Sequence, residues 1–162
     1  MKKQWVLAGI LASALGVSDA LAQHQTPNQQ PNTATAPAVP AGDLALGKVR
    51  LPRAVTADGK ALPAGTYDVK LTAQAAKPMA VGTTEPLERW VEFAQGGTVK
   101  GREVVSIVPQ AEIKMVVKDA PPATGGSKVQ VLRGNEYLRV WINKAGNHYL
   151  IHLPAAGGAN GQ

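Results

Sequence analysis

Apolar and polar residues alternate with a period of two along most of this chain, and that period restricts the fold to β-sheet. Val49 and Leu51 alternate with Lys48 and Arg50. Tyr67, Val69 and Leu71 alternate with Thr66, Asp68 and Lys70. The same pattern recurs at Val91 and Phe93, at Ile113, Met115 and Val117, at Val129 and Val131, and at Leu138, Val140 and Ile142. Residues 104–108 (VVSIV) are nearly continuous in apolar character, as for a strand buried on both faces or crossing a sheet edge. Turn signals separate the runs, among them Asp58-Gly59, Gly96-Gly97, Pro121-Pro122, Gly125-Gly126 and Ala145-Gly146-Asn147. With 17 glycines and 12 prolines in 162 residues, and no long amphipathic helix, the chain reads as all-β. The spacing predicts a single antiparallel β-sandwich of seven to nine short strands, with a small β-barrel as the alternative.

The two ends read differently. Lys2 and Lys3, the apolar run from Trp5 to Val17 and the Ala20-Leu21-Ala22 pattern form a secretory signal peptide over residues 1–22. The apolar run is too short to span a bilayer and no later segment reaches that length, so the expectation is a periplasmic or secreted protein with no membrane span. Residues 23–43 are Gln, Pro, Asn, Thr and Ala without apolar periodicity, and read as a disordered spacer. Residues 44–154 form the folding unit and residues 155–162 a flexible tail. The chain has no cysteine, which excludes a disulfide scaffold, a thiol nucleophile, a cysteine-ligated metal and a lipid anchor on cysteine.

The segment Leu62-Pro63-Ala64-Gly65-Thr66-Tyr67 places a Pro/Gly turn before a β-rich run. It resembles the strand-opening "LPAGTY" segment of small exported bacterial β-sandwich modules, transthyretin-like ones among them, over residues 47–72. The resemblance implies an extracytoplasmic β-module and brings no catalytic residues with it.

The last hairpin is the most informative segment. A two- or four-residue loop within Lys144-Ala145-Gly146-Asn147 sets Asn143 opposite His148, Ile142 opposite Tyr149, Val140 opposite Ile151 and Leu138 opposite Leu153. That register collects one apolar face. The other face carries Tyr137, Arg139, Trp141, Asn143, His148, Leu150 and His152. Trp90 shows the same anomaly, sharing its face with Glu88 and Glu92 while Val91 and Phe93 face the core. Aromatic rings among polar groups suit a saccharide, whose C–H face stacks on the ring while its hydroxyls bond the polar neighbours. Burial of either ring between sheets or under the loop at 75–87 is the competing reading. The candidate ligand-binding residues are therefore Trp141, Tyr137, Arg139, Asn143 and His148, with Trp90, Glu88 and Glu92 as a second group.

Other chemistries find little support. On a strand, His148 and His152 lie about 13 Å apart and cannot share a metal ion. Glu88 and Glu92 are separated by about the same distance, beyond the working range of a glycosidase pair of roughly 5–9.5 Å. Ser106 sits in an apolar run and Ser127 in a Gly-Gly-Ser-Lys turn, neither in a nucleophile elbow. No catalytic residue, metal site or cofactor is expected, and the chain does not read as an enzyme. The formal charge of +6, or +5 once Lys2, Lys3 and Asp19 leave with the signal, permits attraction to polyanions. No run of basic residues or RNA-binding motif points to specific nucleic-acid binding. The expectation is an exported, non-catalytic binding or interaction module. Its partner is a polysaccharide met by an aromatic sheet face, or another extracytoplasmic protein met by a face or edge.

Overall fold

The described residues of the computed structural model are 38–76 and 88–157. The chain divides into two units, Met1–Ala34 and Thr35–Gln162, and all described residues belong to the second. The signal-peptide segment, most of the spacer, the loop at 77–87 and the last five residues lie outside them.

The alternating runs become antiparallel ladders. The strands are β1 (Leu44–Leu51), β2 (Val55–Ala57), β3 (Lys60–Leu62), β4 (Gly65–Ala75), β5 (Glu88–Gln95), β6 (Thr98–Pro109), β7 (Ser127–Leu132), β8 (Tyr137–Lys144) and β9 (Asn147–Pro154). Seven of them form one sheet in the order β1-β4-β5-β6-β9-β8-β7, and β2 and β3 form a separate hairpin. Instead of two facing sheets of similar size, the seven strands make one curled sheet, a half-barrel. Its edge strands β1 and β7 approach each other without a ladder between them.

The concave face holds the main core. Leu46, Val49, Tyr67, Val69, Val91, Phe93, Val105, Ile107 and the six apolar residues of the β8–β9 hairpin are all buried there. The register of that hairpin is the expected one, from Asn143 opposite His148 to Leu138 opposite Leu153. Its loop has two residues, Ala145 and Gly146, with φ of 51° and 75°. Positive φ at both central positions is the type I′ geometry that matches strand twist.

One mouth of the half-barrel is closed by the β2–β3 hairpin. Val55, Ala57 and Leu62 are fully buried against the concave core. The hairpin comes so close to β6 that a Cβ on Gly101 would sit 3.1 Å from Leu62 Cδ2. Ala155 bridges to Val55, and the Ala155 and Ala156 amides donate to Glu136 and Ala54. The start of the expected flexible tail is thus fixed to this mouth.

The opposite mouth is closed by residues 38–43, which the composition assigned to a disordered spacer. Val39 packs on the core. Arg89, only 5% exposed, donates to the carbonyls of Pro40, Gly42 and Thr72. Asn147 Nδ2 donates to Ala38 O at 3.0 Å, and Asp43 accepts from the Ala73 amide at 2.7 Å. That backbone bond, helped by Lys70, holds the Asp43 carboxyl below its usual pKa. The spacer composition hid this docking because the anchors are backbone carbonyls, which every residue carries.

The expected strand around Ile113, Met115 and Val117 is instead a single helical turn, α1 (Ile113–Val116). Ile113 and Val117 are buried, while Met115 is 79% exposed. Positions four apart share a face in a strand and in a helix alike, so only Met115 distinguishes the two periods. Among the described residues, no helix is long and apolar enough to cross a membrane.

Arg89→Met is expected to destabilise the fold by about 2–3 kcal/mol, because three carbonyls lose a charged donor in a buried setting. Urea denaturation measures the loss. Limited proteolysis should find accelerated cleavage in residues 38–43; an unchanged pattern would mean that Arg89 does not hold this segment.

Candidate functional site

The unexplained polar and aromatic residues all lie on the convex face of the seven-stranded sheet. Register places them in rows across the strands. One row runs from Glu88 through Ser106, Leu150 and Trp141 to Lys128. The next runs from Trp90 through Val104 to the neighbouring His152, then Arg139 and Gln130. Trp90 and Trp141 therefore share one sheet and one face, three strand spacings apart.

They do not share an environment. The connection between β6 and β7 folds across one end of the convex face and covers it. Val108, Ile113, Val117, Trp141 and Leu150 form a second apolar cluster beneath that connection. Asn143 Nδ2 donates to Pro122 O at 3.0 Å, and Lys128 Nζ donates to Ala120 O at 2.6 Å while lying 4.7 Å from the Trp141 ring centroid. Trp141 and His148 are fully buried and Asn143 nearly so. This corrects the sequence expectation for these three residues. They face away from the main core, as alternation requires, but they belong to a second core and offer no surface to a ligand.

Within that second core, Trp141 Nε1–H donates to His148 Nδ1 at 3.0 Å. The neutral imidazole must therefore carry its proton on Nε2, which has no partner among the described residues. Burial lowers the His148 pKa below its ordinary 6.5. A second proton would also have to occupy the nitrogen that accepts from Trp141.

The remaining candidates stay on the uncovered part of the face. Tyr137, Arg139, Trp90, Glu88 and Glu92 are all half-buried. Trp90 is not bare, because the Arg102 guanidinium carbon lies 4.2 Å from its ring centroid. Arg102 is itself tied by Nε to Asp58 at 2.9 Å, in the turn of the β2–β3 hairpin. Glu92 pairs with Lys70 at 3.2 Å. At the other side of the uncovered face, Arg139 Nε donates to His152 Nε2 at 3.1 Å. Partial burial, and then the Arg139 charge, lower the His152 pKa below 6.5. Arg102 was missed from sequence, since only the β5–β6 register reveals it as the neighbour of Trp90. Among the described residues, no group of three acidic or histidine side chains is placed to hold a metal ion.

No family model, no curated protein and no solved structure matches this chain.

The two lowered histidines fix the sign of an acid response. Well above pH 6.5 both are neutral in folded and unfolded chains alike. As pH falls through 6.5, the unfolded chain takes up protons that the folded chain resists, so stability falls. The melting temperature should drop between about pH 7.5 and 5.5, with a shallower slope in His148→Gln. Equal slopes in the two proteins would show that His148 does not contribute.

Proposed function

We propose that this chain is an exported, non-catalytic interaction module that engages another protein through the uncovered part of its convex face. The observation that carries this reading is the Arg102 guanidinium stacked on Trp90 and held there by Asp58. A pyranose needs a free ring face, and this one is occupied. Trp, Tyr and Arg are the side chains most enriched at the energetic centres of protein interfaces. Trp90, Arg102, Arg139 and Tyr137 supply that set on one surface. Planar groups of this kind present large contact area at modest entropic cost. Export rests on the basic, apolar and A-x-A succession of residues 1–22.

The saccharide reading of the same residues predicts the opposite behaviour in two assays. Cello-, chito- and malto-oligosaccharides should leave the tryptophan emission unchanged, both in the native protein and in Trp141→Phe, where Trp90 alone reports from the described domain. A photo-crosslinking residue at position 90 or 139, introduced in the organism that makes the protein, should give a discrete protein adduct. The same residue at position 60, on the β2–β3 hairpin, should not. A saturable oligosaccharide response, or adducts equal at all three positions, would overturn the proposal.

A further inference from the structure

At the foot of the convex face, next to the exposed end of β7, lies an open cavity of about 330 Å³. Among the described residues it is lined by Leu132, Tyr137, Arg139 and His152. That volume is at the small end of ligand cavities. Its wall is divided in kind. Leu132 and the Tyr137 ring give it an apolar side, and Arg139 gives it a charge.

Arg139 differs from the paired cations of the sheet and from Arg89, Lys128 and Lys144, which donate to backbone carbonyls. Lys48, Lys70 and Arg102 each pair with a carboxylate. Arg139 has none among the described residues. Its single hydrogen bond among the described residues runs from Nε to His152, which orients the guanidinium plane and leaves both terminal nitrogens without a partner among them. His152 accepts that bond on Nε2, so its neutral ring carries the proton on Nδ1. Among the described residues, the strands flanking His152 add no acid. Strand β6 offers Val104 beside it, β8 offers Arg139, and Gln130 lies beyond on β7. A half-buried, oriented guanidinium without an anion is matched by a planar carboxylate taken through two parallel hydrogen bonds. Among the described lining residues there is one fixed cation beside a neutral imidazole, which suits a monoanion better than a phosphate dianion. The apolar wall requires the acid to carry a hydrocarbon body.

We propose that this cavity is a binding site for an organic carboxylate with an apolar body, the carboxylate on the Arg139 terminal nitrogens and the body against Tyr137 and Leu132. The site shares Arg139 with the protein-binding face but does not depend on that reading. Acid binding is measured with purified protein and small probes, so either proposal can fail while the other stands.

The chemistry has two natural sources, a free amphiphilic acid and the carboxyl terminus of a peptide. The test follows the His152 imidazole resonances of the full chain by NMR while hexanoate, hexanamide, N-acetyl-Leu-Phe and its C-terminal amide are added. Hexanoate, the peptide acid or both should bind with a Kd of about 1–10 mM, as expected for so few atoms. The matching amides should bind at least about tenfold more weakly. A bound carboxylate should also raise the His152 pKa, because a negative charge then stands beside it. Tighter hexanoate binding identifies a free acid as the ligand type, and tighter peptide binding a chain terminus. Arg139→Gln should abolish the preference for acid over amide, and unchanged His148 resonances would show that this variant is folded. Tyr137→Ala should weaken hexanoate while leaving the acid-over-amide preference in place. Equal binding of acid and amide, full binding by Arg139→Gln, or no response from His152 to either acid would each overturn the proposal.

Discussion

A single antiparallel sheet has two faces, and curling hides only one of them without help. In this protein the concave face is emptied of water by its own curvature, with Phe93, Tyr67, Tyr149 and the hairpin aliphatics meeting across the interior. Every other part of the fold responds to what curvature leaves open. The β2–β3 hairpin fills one mouth, and residues 38–43, held by Arg89 and Asn147, fill the other. The turn α1 and its flanking connection cover one end of the convex face. The uncovered part, with Trp90, Arg102, His152, Arg139 and Tyr137, is where a partner has room to act.

Much of the sheet was legible because period two is a local property. The β8–β9 register followed from the hydrophobic pattern and the loop length, since a slip of one residue would turn the three apolar side chains of one strand outward. The doubly apolar run at 104–108 was also readable. Val105 and Ile107 enter the main core, and Val108 enters the second one on the opposite face. The closure of the sheet was not readable. Whether such strands stack as two layers or, as seven of them do here, curl as one sheet depends on twist and on what fills the ends, and neither leaves a local signature.

The site was legible by face but not by cover. Alternation placed Trp90 and Trp141 on the side away from the main core. It could not show that a segment twenty to thirty residues upstream of Trp141 would fold over it. A trace of that cover existed in the apolar residues on the polar faces, Val108 and Leu150, which have no reason to be there on a wet surface. The Arg102–Trp90 stack and the Arg139–His152 bond are cross-strand contacts. They become visible only when register joins residues distant in sequence.

The docking of residues 38–43 has a mechanical consequence. These residues lead into β1 at one mouth, whereas β9 ends at the opposite mouth, where Ala155 and Ala156 are bonded. A pull on Ala38 against the far end of the domain therefore acts along the strand axes. It first meets the Arg89 and Asn147 hydrogen bonds, and behind them the β1–β4 ladder, whose bonds lie across the direction of force. Bonds loaded sideways share the tension and yield together, unlike bonds at the tip of a hairpin, which open one after another. The domain is therefore built as a shear-loaded link, with Asn147 as its outermost rivet and Arg89 the next one in.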